Sequence, residues 1–218
     1  MDIAVLDYLA RWSHYLFGVT WIGLLYYFNF VQTEYFKEAD GDAKTDAFIK
    51  LVPRALWWFR WGAMFTFISG VILLGFLHRR GFTVDITVGA VLGTLMFLNV
   101  WLIIWPNQKI VIASNEQVKG GGEALPEAGP AAPKAALASR TNTLFSLPML
   151  FLMGSSAHMP NGFLAEGGTT ALIVALLIVL VLELNGIFGK PGPMASVRGV
   201  IVSGLVLTGV LWGVLALL

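Results

Sequence analysis

Apolar residues gather along this chain in six stretches, over residues 8–32, 57–77, 84–105, 137–157, 169–188 and 197–218. Each is close to the length of about 20 residues that a helix needs to cross the hydrocarbon core of a bilayer. The pattern ends the third stretch at Pro106, since proline lacks a backbone donor and its ring clashes with the preceding turn. The fourth starts polar and contains Pro148. Between the first two, residues 33–53 mix charges with Tyr35, Phe36, Phe48, Ile49 and Val52, the signature of an amphipathic helix lying in the interface. Residues 115–136 are rich in Gly, Ala and Pro and read as a flexible loop. Asp2 and Asp7 stand where a cleavable signal peptide carries basic residues, so the first stretch reads as a span. The expected architecture is all-α: a polytopic transmembrane helical bundle forming one integral membrane domain over residues 1–218.

Composition agrees. The chain is 57% hydrophobic and 12% charged, whereas a soluble domain carries roughly a quarter charged residues. Basic residues are scattered through the connections and form no patch for nucleic acid. The absence of cysteine removes disulfides, thiolate metal sites, iron–sulfur clusters and covalently attached c-type haem. Charge sets the orientation. Lys37, Lys44, Lys50 and Arg54 follow the first stretch, Lys109, Lys119, Lys134 and Arg140 the third, and Lys190 and Arg198 the fifth. By the positive-inside rule those loops face the cytoplasm, and both termini face the periplasm of a bacterial inner membrane.

Ionisable side chains inside spans are costly, and each is a functional hypothesis. His14 lies in the first span, His78 at the outer end of the second and His158 at the outer end of the fourth. The orientation puts all three towards one side. Neutral imidazoles on two helices can ligate a b-type haem, and His14 with His158 is the preferred pair. Trp21 and Gly18 share a helix face with His14, and Arg11, one turn earlier, suits a propionate or another anion. Equally, His14 can serve as a helix-to-helix hydrogen-bond donor, and Arg11 can snorkel to the surface. His78 belongs to a His-Arg-Arg cluster suited to headgroup contact. Trp57, Trp58, Trp61, Trp101 and Trp105 gather at the inner ends of the second and third spans, as an aromatic belt or as the wall of a quinone or cofactor site. Arg60 sits among them, with Glu183 its candidate partner by depth. Asn29, Asn99, Asn142 and Asn185 suit helix-to-helix hydrogen bonds, while Gly89 with Gly93 and Gly209 with Gly213 suit close packing in a bundle or homo-oligomer. The chain has no P-loop, nucleophile elbow or zinc-protease motif.

The segment from His14 to Gln32, the run Trp57 to Thr66, the run Asn99 to Lys109 and the run Ser139 to Met149 resemble the membrane-bound urate oxidase family. That family joins a multi-span membrane domain to a C-terminal cytochrome c domain and is linked to urate oxidation, with electrons passed to the haem. The resemblance carries over His14, Arg60, Asn99, Trp101, Asn107, Arg140, Asn142 and His158 as functional positions. Here the sequence stops at Leu218 without a Cys-x-x-Cys-His motif, so a separate c-type cytochrome is the expected electron acceptor. The resemblance thus implies a membrane redox protein. The other readings are a non-enzymatic subunit of a larger respiratory or photosynthetic membrane complex and, more weakly, a channel or transporter.

Overall fold

Within a bilayer every peptide group must find its partner in its own segment or in a closed barrel. This chain takes the helical solution. The computed structural model describes residues 2–77, 81–162 and 168–218, and helices account for nearly all of them, with no strand among the described residues. α1 (Ile3–Tyr26) is capped by Asp2, whose carboxylate accepts from the Ala4 N–H. It passes into a π-helical stretch, Tyr27–Gln32, and then into the short α2 (Thr33–Glu38). α3 (Gly41–Lys50) leads to α4 (Val52–Leu77). α5 (Val84–Leu98), capped by the Thr83 hydroxyl, runs through a second π-helical stretch, Asn99–Ile104, into α6 (Trp105–Lys119). α7 (Ala128–His158), α8 (Thr169–Phe188) and α9 (Val197–Leu217) complete the chain. Four helical segments, Val52–Leu77, Val84–Lys119, Thr169–Phe188 and Val197–Leu217, are long and apolar enough to cross a membrane. His78, Arg79 and Arg80, singled out by the sequence, lie outside the described residues.

Three expectations change. Pro106 does not end its helix: Val84–Lys119 is one continuous helical rod through it. The proline follows directly on the π-helical stretch, whose wider turn accommodates a ring and a missing donor that a regular α-turn would not. The segment 115–136 is not a long flexible loop either, since α6 continues to Lys119 and α7 begins at Ala128. Its alanines favour helix, and Pro130 falls in the first turn, where a proline costs least, while Pro133 stands inside the helix and leaves the Gly129 carbonyl without its helical donor. Finally, residues 33–53 form two short helices in place of one. Phe36 stacks on Phe48 with ring centroids 4.7 Å apart, folding α2 back onto α3.

α7 is the hub of the bundle. It packs against α5, α6, α8 and α9 and touches α1, while α1 lies mainly along α4. Small residues set the approaches. Gly186 of α8 faces Thr141, where a Cβ would come within 2.6 Å of Oγ1 and 2.8 Å of Cγ2. Gly204 of α9 sits against Leu147 and the Leu144 carbonyl, the acceptor that Pro148 leaves without its helical donor. Gly89 and Gly93 pack on Met149 and Met153 of α7, as their spacing suggests. Gly209 and Gly213 have no neighbour within 4 Å of a built Cβ, so they take no part in the bundle's own packing.

At one end, Asp46 of α3 pairs with both Lys50 and Lys119, which ties α3 to the end of α6. Those lysines hold its carboxyl below the usual carboxylate value. A lowered carboxyl stabilises the fold at pH above its unfolded value and loses that contribution as pH falls through the folded one. Lys119→Ala is therefore expected to loosen α3 at neutral pH, read as faster hydrogen exchange over Gly41–Lys50, and to make no difference once Asp46 is protonated. Gly186→Val, measured as thermal unfolding in detergent, should cost about 1–3 kcal/mol by overpacking, whereas Gly213→Ala should be silent.

Candidate functional site

The two π-helical stretches carry the buried polar chemistry of the bundle, and both turn it towards α7. Asn29, in the first, donates from Nδ2 to Ser139 Oγ at 2.8 Å and to the Leu25 carbonyl. One turn away, the Tyr26 hydroxyl donates to Ser146 Oγ at 2.9 Å, since that serine spends its own proton on the Thr143 carbonyl. Asn99, opening the second stretch, donates from Nδ2 to Asn142 Oδ1 at 3.0 Å and to Glu183 Oε2 of α8 at 3.2 Å. Asn142 in turn donates to the Met96 carbonyl at 2.9 Å. Ser139, Asn142 and Ser146 recur at helical spacing. One polar stripe on α7 thus receives α1 from one side and α5 with α8 from the other. A π-turn shifts its carbonyls out of register, and neighbouring side chains satisfy them, as Thr33 Oγ1 does for Phe28 O at 2.7 Å.

Beside this stripe lies an aromatic and cationic wall. Arg60 does not pair with Glu183. Its guanidinium stacks over the Trp105 ring, 3.6 Å from the centroid, and Glu183 is taken by Asn99. The indole face offers Arg60 attraction without a buried carboxylate's desolvation cost. Trp101 sits one turn before Trp105 and meets Trp61 edge to face at 5.7 Å. Arg60 Nη1, Trp101 Nε1 and Arg140 Nη1 are buried without an acceptor, as are the Gln32 and Gln108 amide oxygens without a donor. Arg140 is 6% exposed, with Glu34 the acid in electrostatic reach. Asn107 donates to the Ile103 carbonyl of its own helix. Unsatisfied buried donors are rare and mark a place where something can bind. A stacked guanidinium keeps its in-plane hydrogens free, an arrangement suited to flat anions.

His14 and His158 occupy the opposite end. His14 Nδ1–H donates to the Thr66 carbonyl at 3.0 Å and lies 3.2 Å from Ser69 Oγ, both on α4. The ring rests against Gly70, where a Cβ would come within 3.1 Å of His14 Cε1. This fixes the tautomer and leaves Nε2 with its lone pair. Arg11 pairs with Asp7 at 3.1 Å, on its own helix. Trp21 is buried with its Nε1 unpaired, and its backbone packs on Gly62. His158 is exposed at the end of α7. α1 and α7 run antiparallel, and each histidine lies twelve residues from the Tyr26–Ser146 bond. That puts both about 18 Å from it, at similar depth, by the rise of a helix. Among the described residues no hydrogen bond joins them. Sequence reasoning missed Asp85, fully buried, which accepts from Ser155 Oγ at 2.6 Å and from Asn161 N and Nδ2 at 2.8 and 3.0 Å. Its position inside an apolar stretch was the available signal.

Helices of this length and apolarity, joined by buried amides and one buried glutamate, define a helical membrane protein with a polar layer built on α7. Residues 76–189 match the family described as urate oxidase N-terminal, and the chain belongs to that family. The matched region holds Asn99, Trp101, Asn107, Arg140, Asn142 and His158, while His14, Trp21 and Arg60 precede it. No curated protein and no solved structure matches this chain.

Replacing Asn142 by Leu removes the acceptor of Asn99 and the donor to Met96 together. The expected loss is about 1–3 kcal/mol for the polar groups left unpaired. A double-mutant cycle with Asn99→Leu, followed by thermal unfolding in detergent, should show strong coupling between the two positions.

Proposed function

We propose that this chain is the membrane-embedded part of a redox system of the urate oxidase kind. It spans a bacterial inner membrane six times with both termini on the periplasmic side, α1 and α7 crossing beside the four most apolar segments. The observation that carries the reading is the Arg60–Trp105 stack beside the unpaired donors of Arg60 and Trp101. A flat, cationic, donor-only edge of this kind complements a planar organic anion, and urate is one. Family membership makes urate the first candidate.

Electrons taken from the substrate pass to a c-type cytochrome, whose haem is held outside these 218 residues because they contain no cysteine. A b-type haem fits the donor chemistry at His14, whose Nδ1–H is held by a backbone carbonyl while Nε2 stays free, the usual second-shell arrangement of a ligating histidine. His14 would hold the iron, with His158 the candidate second ligand, and the haem would supply one-electron transfer. A quinone is the alternative carrier. A groove of about 440 Å³ between α1 and α4, lined by Leu9, Ser13, Phe17, Phe65 and Ser69, offers an apolar bed next to His14. The competing reading, an accessory subunit of a larger complex or a homo-oligomer, draws on the unpartnered Gly209 and Gly213 of α9.

The test begins with an optical spectrum of the protein purified with its partners attached. A Soret band that disappears in His14→Ala and His158→Ala supports the haem. Urate-dependent reduction of an added c-type cytochrome, lowered about a hundredfold in kcat/KM by Arg60→Ala, supports the substrate site. A colourless preparation that neither binds urate nor reduces cytochrome would sink the redox reading.

A further inference from the structure

Among the described residues two carboxylates are buried in the bundle, and their surroundings differ sharply. Asp85 sits in the first turn of α5, where the helix N-terminus favours negative charge, and receives three hydrogen bonds from Ser155 and Asn161. Both of its oxygens are thus supplied with donors. Glu183, 6% exposed, receives one described hydrogen bond, from Asn99 Nδ2. Asn99 divides its two amide hydrogens between Glu183 and Asn142, and Asn142 spends one of its own on Met96 O, so Asn99 has no second hydrogen for the glutamate.

Nor, among the described residues, is a cation paired with it. α5, α7 and α9 pack on α8. Asp85 on α5 is committed to Ser155 and Asn161. On α7, Lys134 lies in the second turn, Arg140 has Glu34 as its nearby acid, and His158 is exposed at the far end. Lys190 and Arg198, at the adjoining ends of α8 and α9, are exposed. Among the described residues no ion pair includes Glu183. An ionised carboxylate here would be desolvated with one neutral donor for compensation, and taking up a proton is the less costly state.

We propose that Glu183 is a proton-binding site within the membrane, carried as the neutral carboxylic acid at neutral pH. The step is the reversible transfer of one proton between Glu183 and water at the nearby end of α8, with no electron and no other bond involved. Its neutral state is matched to the second π-helical stretch. Ionisation would demand donors that Asn99 can supply only by releasing Asn142, so proton loss and the helix-to-helix contact at this turn are linked. The site stands independently of haem, quinone or urate.

Infrared spectroscopy of the full chain in lipid nanodiscs tests this directly. The expected result is a carboxylic-acid carbonyl band at neutral pH that shifts down in heavy water. It should vanish in Glu183→Gln, which keeps an acceptor for Asn99, and persist in Asp85→Asn. A folded wild-type chain without the band, or a band that survives Glu183→Gln, overturns the proposal. Should Glu183→Gln fail to fold, dicyclohexylcarbodiimide decides on the wild-type chain, since it adds to protonated carboxyl groups in apolar surroundings. An adduct mapped to Glu183 by mass spectrometry, with yield falling as pH rises, supports the assignment. Labelling confined to other acids refutes it.

Discussion

The rest of this structure depends on one constraint: polar groups brought into a bilayer must find partners inside the protein. The chain meets it by placing Ser139, Asn142 and Ser146 on a single face of α7 and turning asparagines and a tyrosine of two other helices towards them. In lipid, helices gain little from apolar contact with each other, because the lipid tails are equally apolar. Specific hydrogen bonds and close backbone approach then decide which helix meets which. α7 supplies both. Its hydroxyls and amides hold α1 and α5, and Gly186 and Gly204 let α8 and α9 come against it.

The π-helical stretches are part of the same solution. A wider turn puts one residue out of the regular register, and in both places that residue environment contains a buried asparagine, Asn29 or Asn99. Such turns occur frequently at functional sites. In this protein they mark where the polar layer meets the aromatic wall of Trp61, Trp101 and Trp105, and where Arg60 rests without a carboxylate. A guanidinium satisfied by an indole retains hydrogens for a ligand. One paired with Glu183 would give up two of its five N–H groups and its uncompensated charge. The exchange of partners therefore leaves two groups available for separate chemistry, a cation for an anion and an acid for a proton.

The two ends of the bundle differ in character. Around His14 most polar groups are closed on themselves, Nδ1 on Thr66, Ser69 on Phe65 and Arg11 on Asp7, with His14 Nε2 and Trp21 Nε1 left over. Around Arg60 and Arg140 several donors and acceptors stay open. Closed groups position and open groups can bind, which sets the two ends of the bundle apart chemically.

Much of this was legible in the sequence. Hydropathy alone established an all-helical membrane protein, because the cost of burying peptide groups admits few alternatives once apolar stretches are this long. Residue type also flagged Arg60, Asn99, Asn142 and Glu183, since each is expensive at its depth. What it could not supply was pairing. Arg60 and Glu183 match in charge and depth, yet α8 packs on α5, α7 and α9, and the residue that reaches Glu183 is Asn99 at the π-turn, which no local pattern records. Pro106 read as a stop because an α-helix was assumed around it, and only the wider turn makes it a continuation. Tyr26, Ser139 and Ser146 were ordinary letters until α1 and α7 met. Cost per residue is a local quantity and was determined by the sequence; partnership is a property of packed helices, and the tertiary structure alone decided it.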